Sequence, residues 1–140
     1  MNRKEPFVAR LKQVVREDAR YDLNAYTFLF EALGFTLRML GRSEERGDPS
    51  KRHVTGRELL EGIKRHALQQ FGFMARVVLE GWGVKTTDDF GEIVFNLVDR
   101  GLLGRSETDS KEDFHAVYDF RQALDLSYQI GGEARLTQEH

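Results

Sequence analysis

The side chains best suited to chemistry are sparse and scattered in this sequence. It has 4 histidines and no cysteine. His53, His66, His115 and His140 form no His-x-x-x-His pair, and no aspartate-rich calcium loop accompanies them, so no metal-ligand spacing emerges. The lack of cysteine excludes disulfides, thiolate zinc sites, iron–sulfur clusters and cysteine nucleophiles. Asp113, His115 and Asp119 share one face of an expected strand, and a carboxylate beside an imidazole raises its pKa as a general base requires. No further residue completes such a site, and a lone histidine is ordinarily structural. Ser43, Ser50, Ser106, Ser110 and Ser127 stand in no nucleophile-elbow context, and no glycine run follows a strand at a phosphate-cradling spacing. No catalytic, cofactor-binding or metal-binding residue is assigned, no cofactor is expected, and the reading leans away from an enzyme.

Charge is the remaining chemical signal. The expected fifth helix carries Asp88, Asp89, Glu92, Asn96 and Asp99 on its outward side, and this face repels phosphates at close range. It is the candidate interaction face for a protein partner with a basic surface. Acids at a helix N-terminus are also stabilised by the helix dipole, which explains Asp88, Asp89 and Glu92 without any partner. A second cluster, Arg10, Lys12, Arg16 and Arg20 with Lys51 and Arg52, is a candidate basic patch. A solvated helix face balanced by its own acids is the favoured account of it, since no exposed aromatics interleave with these cations. Nucleic acid is therefore a disfavoured alternative partner.

These residues must be held by elements that the apolar spacing outlines. Pro6, Phe7, Val8, Leu11, Val14 and Val15 place a first helix over residues 6–18. From Asn24 to Leu40 apolar residues occupy most of the circumference, leaving Asn24, Thr27, Glu31 and Arg38 as a polar stripe, so this helix is expected to be the buried hub. Residues 41–52 are glycine-bearing and charged, an exposed and mobile connection. Thr55 with Glu58 is a capping-box spacing for a third helix that ends at Gly72. Phe73, Met74, Val77, Val78 and Trp82 form the apolar face of a fourth, with Trp82 expected to be largely buried. Thr86 with Asp89 repeats the cap, and Phe90, Ile93, Val94, Leu97 and Val98 carry a fifth helix to Gly101. Gly91 within that helix implies close approach of another backbone. Beyond it, Phe114, Ala116, Tyr118 and Phe120 alternate with polar neighbours as a half-buried strand does, with Leu102 to Arg105 as its hairpin partner.

The balance of 21 Lys+Arg against 23 Asp+Glu over 140 residues, with 40% hydrophobic residues, fits one packed domain and excludes wholesale disorder. The apolar stretch from Leu23 to Leu40 is interrupted by Asn24, Glu31 and Arg38, which argues against a membrane span. No apolar run follows the basic N-terminus, so no signal peptide is expected and a cytoplasmic location is the default.

At Arg20-Tyr21, Ala25-Tyr26, His53-Val54-Thr55-Gly56, Glu58 to Gly62, Gln70-Phe71-Gly72, Trp82-Gly83-Val84 and Asp89 to Asn96, the chain resembles a small family of conserved hypothetical proteins of Planctomycetes and Verrucomicrobia. The likeness covers about residues 7–121. It implies a cytosolic bacterial protein of one domain and carries over no activity, cofactor or catalytic residue. The fold expected is mainly α: about five helices with a short C-terminal β-hairpin, winged-helix-like from residue 55 onward. A single domain spans 1–130, with a helical pair at 6–40, a mobile connection at 41–54, helices plus hairpin at 55–121, and a flexible tail at 131–140. The leading functional expectation is a non-catalytic protein-interaction module; a nucleic-acid binder using the basic first helix is the alternative.

Overall fold

The computed structural model describes residues 5–42, 53–104 and 110–126. Most of the expected connection, including Lys51 and Arg52, lies outside the described residues, as do Arg105 and the tail. The five expected helices are present: α1 (Glu5–Glu17), α2 (Leu23–Met39), α3 (Gly56–Phe71), α4 (Ala75–Gly81) and α5 (Thr87–Asp99). Three of the starts follow from their local sequence. Asp22 caps α2 by accepting from the Asn24 amide, while Thr55 with Glu58 and Thr86 with Asp89 close reciprocal capping boxes on α3 and α5. Three of the stops share one device. Gly41, Gly83 and Gly101 take positive φ just past α2, α4 and α5, and the amide after each reaches back to the helix: Arg42 to Leu37, Val84 to Leu79, Leu102 to Leu97.

The core forms where these helices cross. α2 buries Ala25, Tyr26, Phe28, Leu29, Ala32, Thr36 and Leu37, and its expected polar stripe of Asn24, Thr27, Glu31 and Arg38 is exposed. Its main partner is α3, which buries Leu59, Leu60, Ile63, His66 and Ala67. At Gly62 the two helices leave no room for a side chain: an added Cβ would stand 1.8 Å from Thr36 Oγ1. α3 is also packed by α4, by α5 and by the segment after residue 110, so α3 rather than α2 is the element most of the fold shares.

The C-terminal part departs from expectation. Among the described residues there is no strand. Residues Lys111–Phe114 form a 3-10 turn and Arg121–Leu126 a π turn, while 102–104 belong to the turn that closes α5. The segment docks by side-chain chemistry in place of a ladder: Thr87 Oγ1 donates to the Phe114 carbonyl at 2.7 Å and accepts from the Val117 amide at 3.1 Å, and Tyr118 Oη donates to the Leu60 carbonyl at 2.7 Å. Alternation failed as a guide because Ala116 turns the chain at φ 46, with Phe114 and Phe120 buried on either side of the reversal. Phe114 fills the space that two glycines leave open, since a Cβ on Gly56 or Gly91 would come within 3.1 Å of its side chain. The approach inferred at Gly91 is thus made by an aromatic side chain.

Residues 72–82 also differ. Gly72, at φ 54, breaks the helical phase, and a 3-10 turn over Gly72–Met74 precedes α4. Ala75 and Leu79 therefore face the core, and Phe73, Met74 and Val77 face outward. Trp82 is only partly buried, with its ring 5.7 Å from Phe28 and edge-on to Phe71 at 5.8 Å.

Candidate functional site

The outward residues of α5 meet the corner between α1 and α2. Asp18, just past α1, accepts from Arg20 Nε at 2.8 Å and from Asn96 Nδ2 at 2.9 Å; the same amide nitrogen donates to Tyr26 Oη at 3.0 Å. Tyr21 Oη donates to Asp89 Oδ1 at 2.6 Å, while Asp89 Oδ2 accepts from the Lys85 and Thr86 amides. Glu92 lies 3.6 Å from the Arg20 guanidinium and 3.2 Å from Lys111 Nζ. Asp88 Oδ1 is 2.9 Å from His115 Nδ1. Asp99 is exposed at the end of the row.

Electrostatics follow from these contacts. The Arg20 hydrogen bond holds the Asp18 carboxyl well below the usual carboxylate range, against burial that pushes the other way, with Asn96 adding to the effect of Arg20. Burial, then the bond to Asp89, raises the Tyr21 phenol. Burial raises Tyr26 as well. Asp88 raises the His115 imidazole. The phenols so raised stay protonated near neutrality and Asp18 stays ionised, so the hydrogen bonds between them and α5 hold the helix to its neighbours.

Of the residues selected on the outward face of α5, Asp88, Asp89, Glu92 and Asn96 are thus engaged within the chain. Asp113 caps the 3-10 turn instead of sharing a face with His115, and Asp119 accepts from the Gln122 amide. The basic patch is also divided. Arg10 donates to the Arg100 carbonyl at the end of α5, and Arg100 pairs with Glu17. Arg16 donates to Gln13 Oε1 at 2.7 Å, Arg20 belongs to the Asp18 cluster, and Lys12 is exposed.

The spacing rules passed over a different surface. Phe73, Met74 and Val77 are 69%, 43% and 51% exposed, the first two on the 3-10 turn before α4 and the third on its first turn. Helical periodicity alone assigned them to the core; Gly72 carried the opposite signal, because a glycine able to take positive φ resets the face that follows. Beside the stripe, Arg76 bonds Glu80 Oε2 at 2.9 Å and Asp125 Oδ2 at 2.8 Å, leaving two carboxylates to one guanidinium. Among the described residues no group of three or more metal-ligating side chains converges, and no helix is long and apolar enough to cross a membrane. No known family, curated protein or solved structure matches the chain.

Proposed function

We propose that the chain is a non-catalytic protein-interaction module that docks through the apolar stripe of Phe73, Met74 and Val77. The observation that carries this reading is the outward display of large apolar side chains on the 3-10 turn before α4 and on the first turn of α4, whose other face, Ala75 and Leu79, is buried. Such a display is characteristic of a binding surface, with an apolar centre and a polar rim. The rim here is acidic in balance, Glu80 and Asp125 against Arg76, and suits a partner that surrounds an apolar groove with basic residues. The α5 acids keep a lesser part in it, because their internal contacts already engage them. The helical order α3, α4, α5 retains the element order of a helix-turn-helix, and a winged-helix kinship, like the likeness to the conserved hypothetical family, belongs to the proposal.

Val77→Glu places a charge in the stripe without disturbing a buried residue. Partner capture should fall at least about tenfold with Val77→Glu while the thermal transition is unchanged. Capture that survives Val77→Glu, or that consists of nucleic acid lost steeply between 50 and 200 mM salt, would refute the reading in favour of the basic first helix.

A further inference from the structure

The outward face of α4 carries a glycine that the described residues do not require. Gly81 lies in the last turn of α4, is exposed, has no positive φ, and an added Cβ there would meet nothing within 4 Å. Alanine would hold the helix better. A glycine in such a place suits close approach of another group to bare backbone. Met74, Val77 and Gly81 follow one another at spacings of three and four, so they share one face: two exposed apolar side chains and then a gap.

The chain's own end lies beside this face. The π turn Arg121–Leu126 packs against α4, and Asp125 Oδ2 accepts from Arg76 Nε at 2.8 Å, one residue before Val77. Residues 127–140 continue from that point and lie outside the described residues. From Asp125 to Ile130 an extended chain spans about 17 Å, whereas the face from Met74 to Gly81 is about 10 Å long. Tyr128 and Ile130 alternate with Ser127 and Gln129, the pattern that presents both apolar side chains on one side of an extended stretch, and Gly131-Gly132 ends it. A tyrosine ring can lie on bare helix backbone and keep its hydroxyl in water. A second copy of the chain suits the face less well, because a two-fold contact would set the acidic rim of Glu80 and Asp125 against itself.

We infer that the C-terminal segment folds back over α4, with the Tyr128 ring on Gly81 and Ile130 against Val77 and Met74, as a built-in cover that a partner must displace. Its regulatory meaning rests on the reading of this face as the docking surface; the contact itself does not.

The chain has no cysteine, so single introduced thiols report on single sites. A nitroxide on Ile130→Cys in the full chain should broaden the amide resonances of Met74, Val77 and Gly81 and spare that of Lys12. Absence of broadening on α4 would overturn the inference. So would broadening that passes from nitroxide-labelled chains to unlabelled, isotope-enriched ones, which would make the occupant a second copy. The thiol of Val77→Cys should react at least about tenfold faster when Tyr128→Ser and Ile130→Ser are added, and an unchanged rate would count equally against the cover. Partner capture should rise at least about threefold with the same pair of serines and still be lost with Val77→Glu. Capture that ignores Val77→Glu refutes the docking surface alone, because the nitroxide and thiol measurements decide the cover without any partner.

Discussion

Gly62 shows how far one atom decides the α2–α3 packing. In an exposed helix interior, replacing glycine by alanine stabilises by about 1 kcal/mol. Here the new methyl carbon would stand 1.8 Å from Thr36 Oγ1, which itself donates to the Ala32 carbonyl inside the core. Gly62→Ala should therefore destabilise by about 1 to 3 kcal/mol in urea unfolding, and Thr36→Ala should recover part of the loss in a double-mutant cycle. A stabilised Gly62→Ala protein would place the helices further apart than described. Trp82 gives a second residue-scale expectation. With Phe28 and Phe71 against its ring and part of it in solvent, Trp82→Ala should cost about 3 kcal/mol, and the native emission should lie between buried and fully exposed limits. At this scale the sequence is least informative about satisfaction: His66 reads as an ordinary core histidine on its helix, and only the placement of Phe28, Phe35 and Glu31 reveals that its nitrogens are unmet.

Elements were legible where the chain states its own boundaries. Thr55 with Glu58, Thr86 with Asp89, and the glycines after α4 and α5 mark helix ends by local hydrogen bonding, which needs no knowledge of distant residues. The segment 111–126 was misread because alternation reports exposure and not pairing. With no neighbouring strand in place, its polar backbone groups go to Thr87 and to local turns. Thr87→Val keeps the shape and removes both bonds, and should cost about 1 to 3 kcal/mol while loosening 110–118 as read by hydrogen exchange. His115 adds a pH dependence to the same docking. Asp88 holds the imidazolium above its ordinary value of 6.5, so the contact is intact below that value and is lost as pH rises through the raised pKa. The Val117 amide should therefore exchange faster on the alkaline side beyond the intrinsic base catalysis of exchange, and His115→Gln should remove that excess. An excess that survives His115→Gln would show that another group controls the segment.

Taken whole, the molecule commits most of its α5 acids to its own assembly and leaves apolar surface on α4. The expectation of an outward acidic face came from counting charges between 85 and 100, a count blind to Tyr21, Arg20, Lys111 and His115, which arrive from other parts of the chain. Reversing Asp88, Glu92 and Asp99 to Lys should accordingly lower stability more than surface substitutions usually do, beyond about 0.5 kcal/mol, with Asp99 contributing least. Acidification should act in the same direction through Asp18, whose contribution is present above its ordinary 3.8 and lost as pH falls towards its lowered pKa. The measurement that bears most directly on the stripe is photo-crosslinking in native cells, with the reactive side chain placed in turn at Met74, Lys12 and Asp99. Docking through α4 predicts a discrete protein adduct from position 74, with positions 12 and 99 giving none or far less. A discrete adduct from position 12 or 99 with none from position 74 would contradict it.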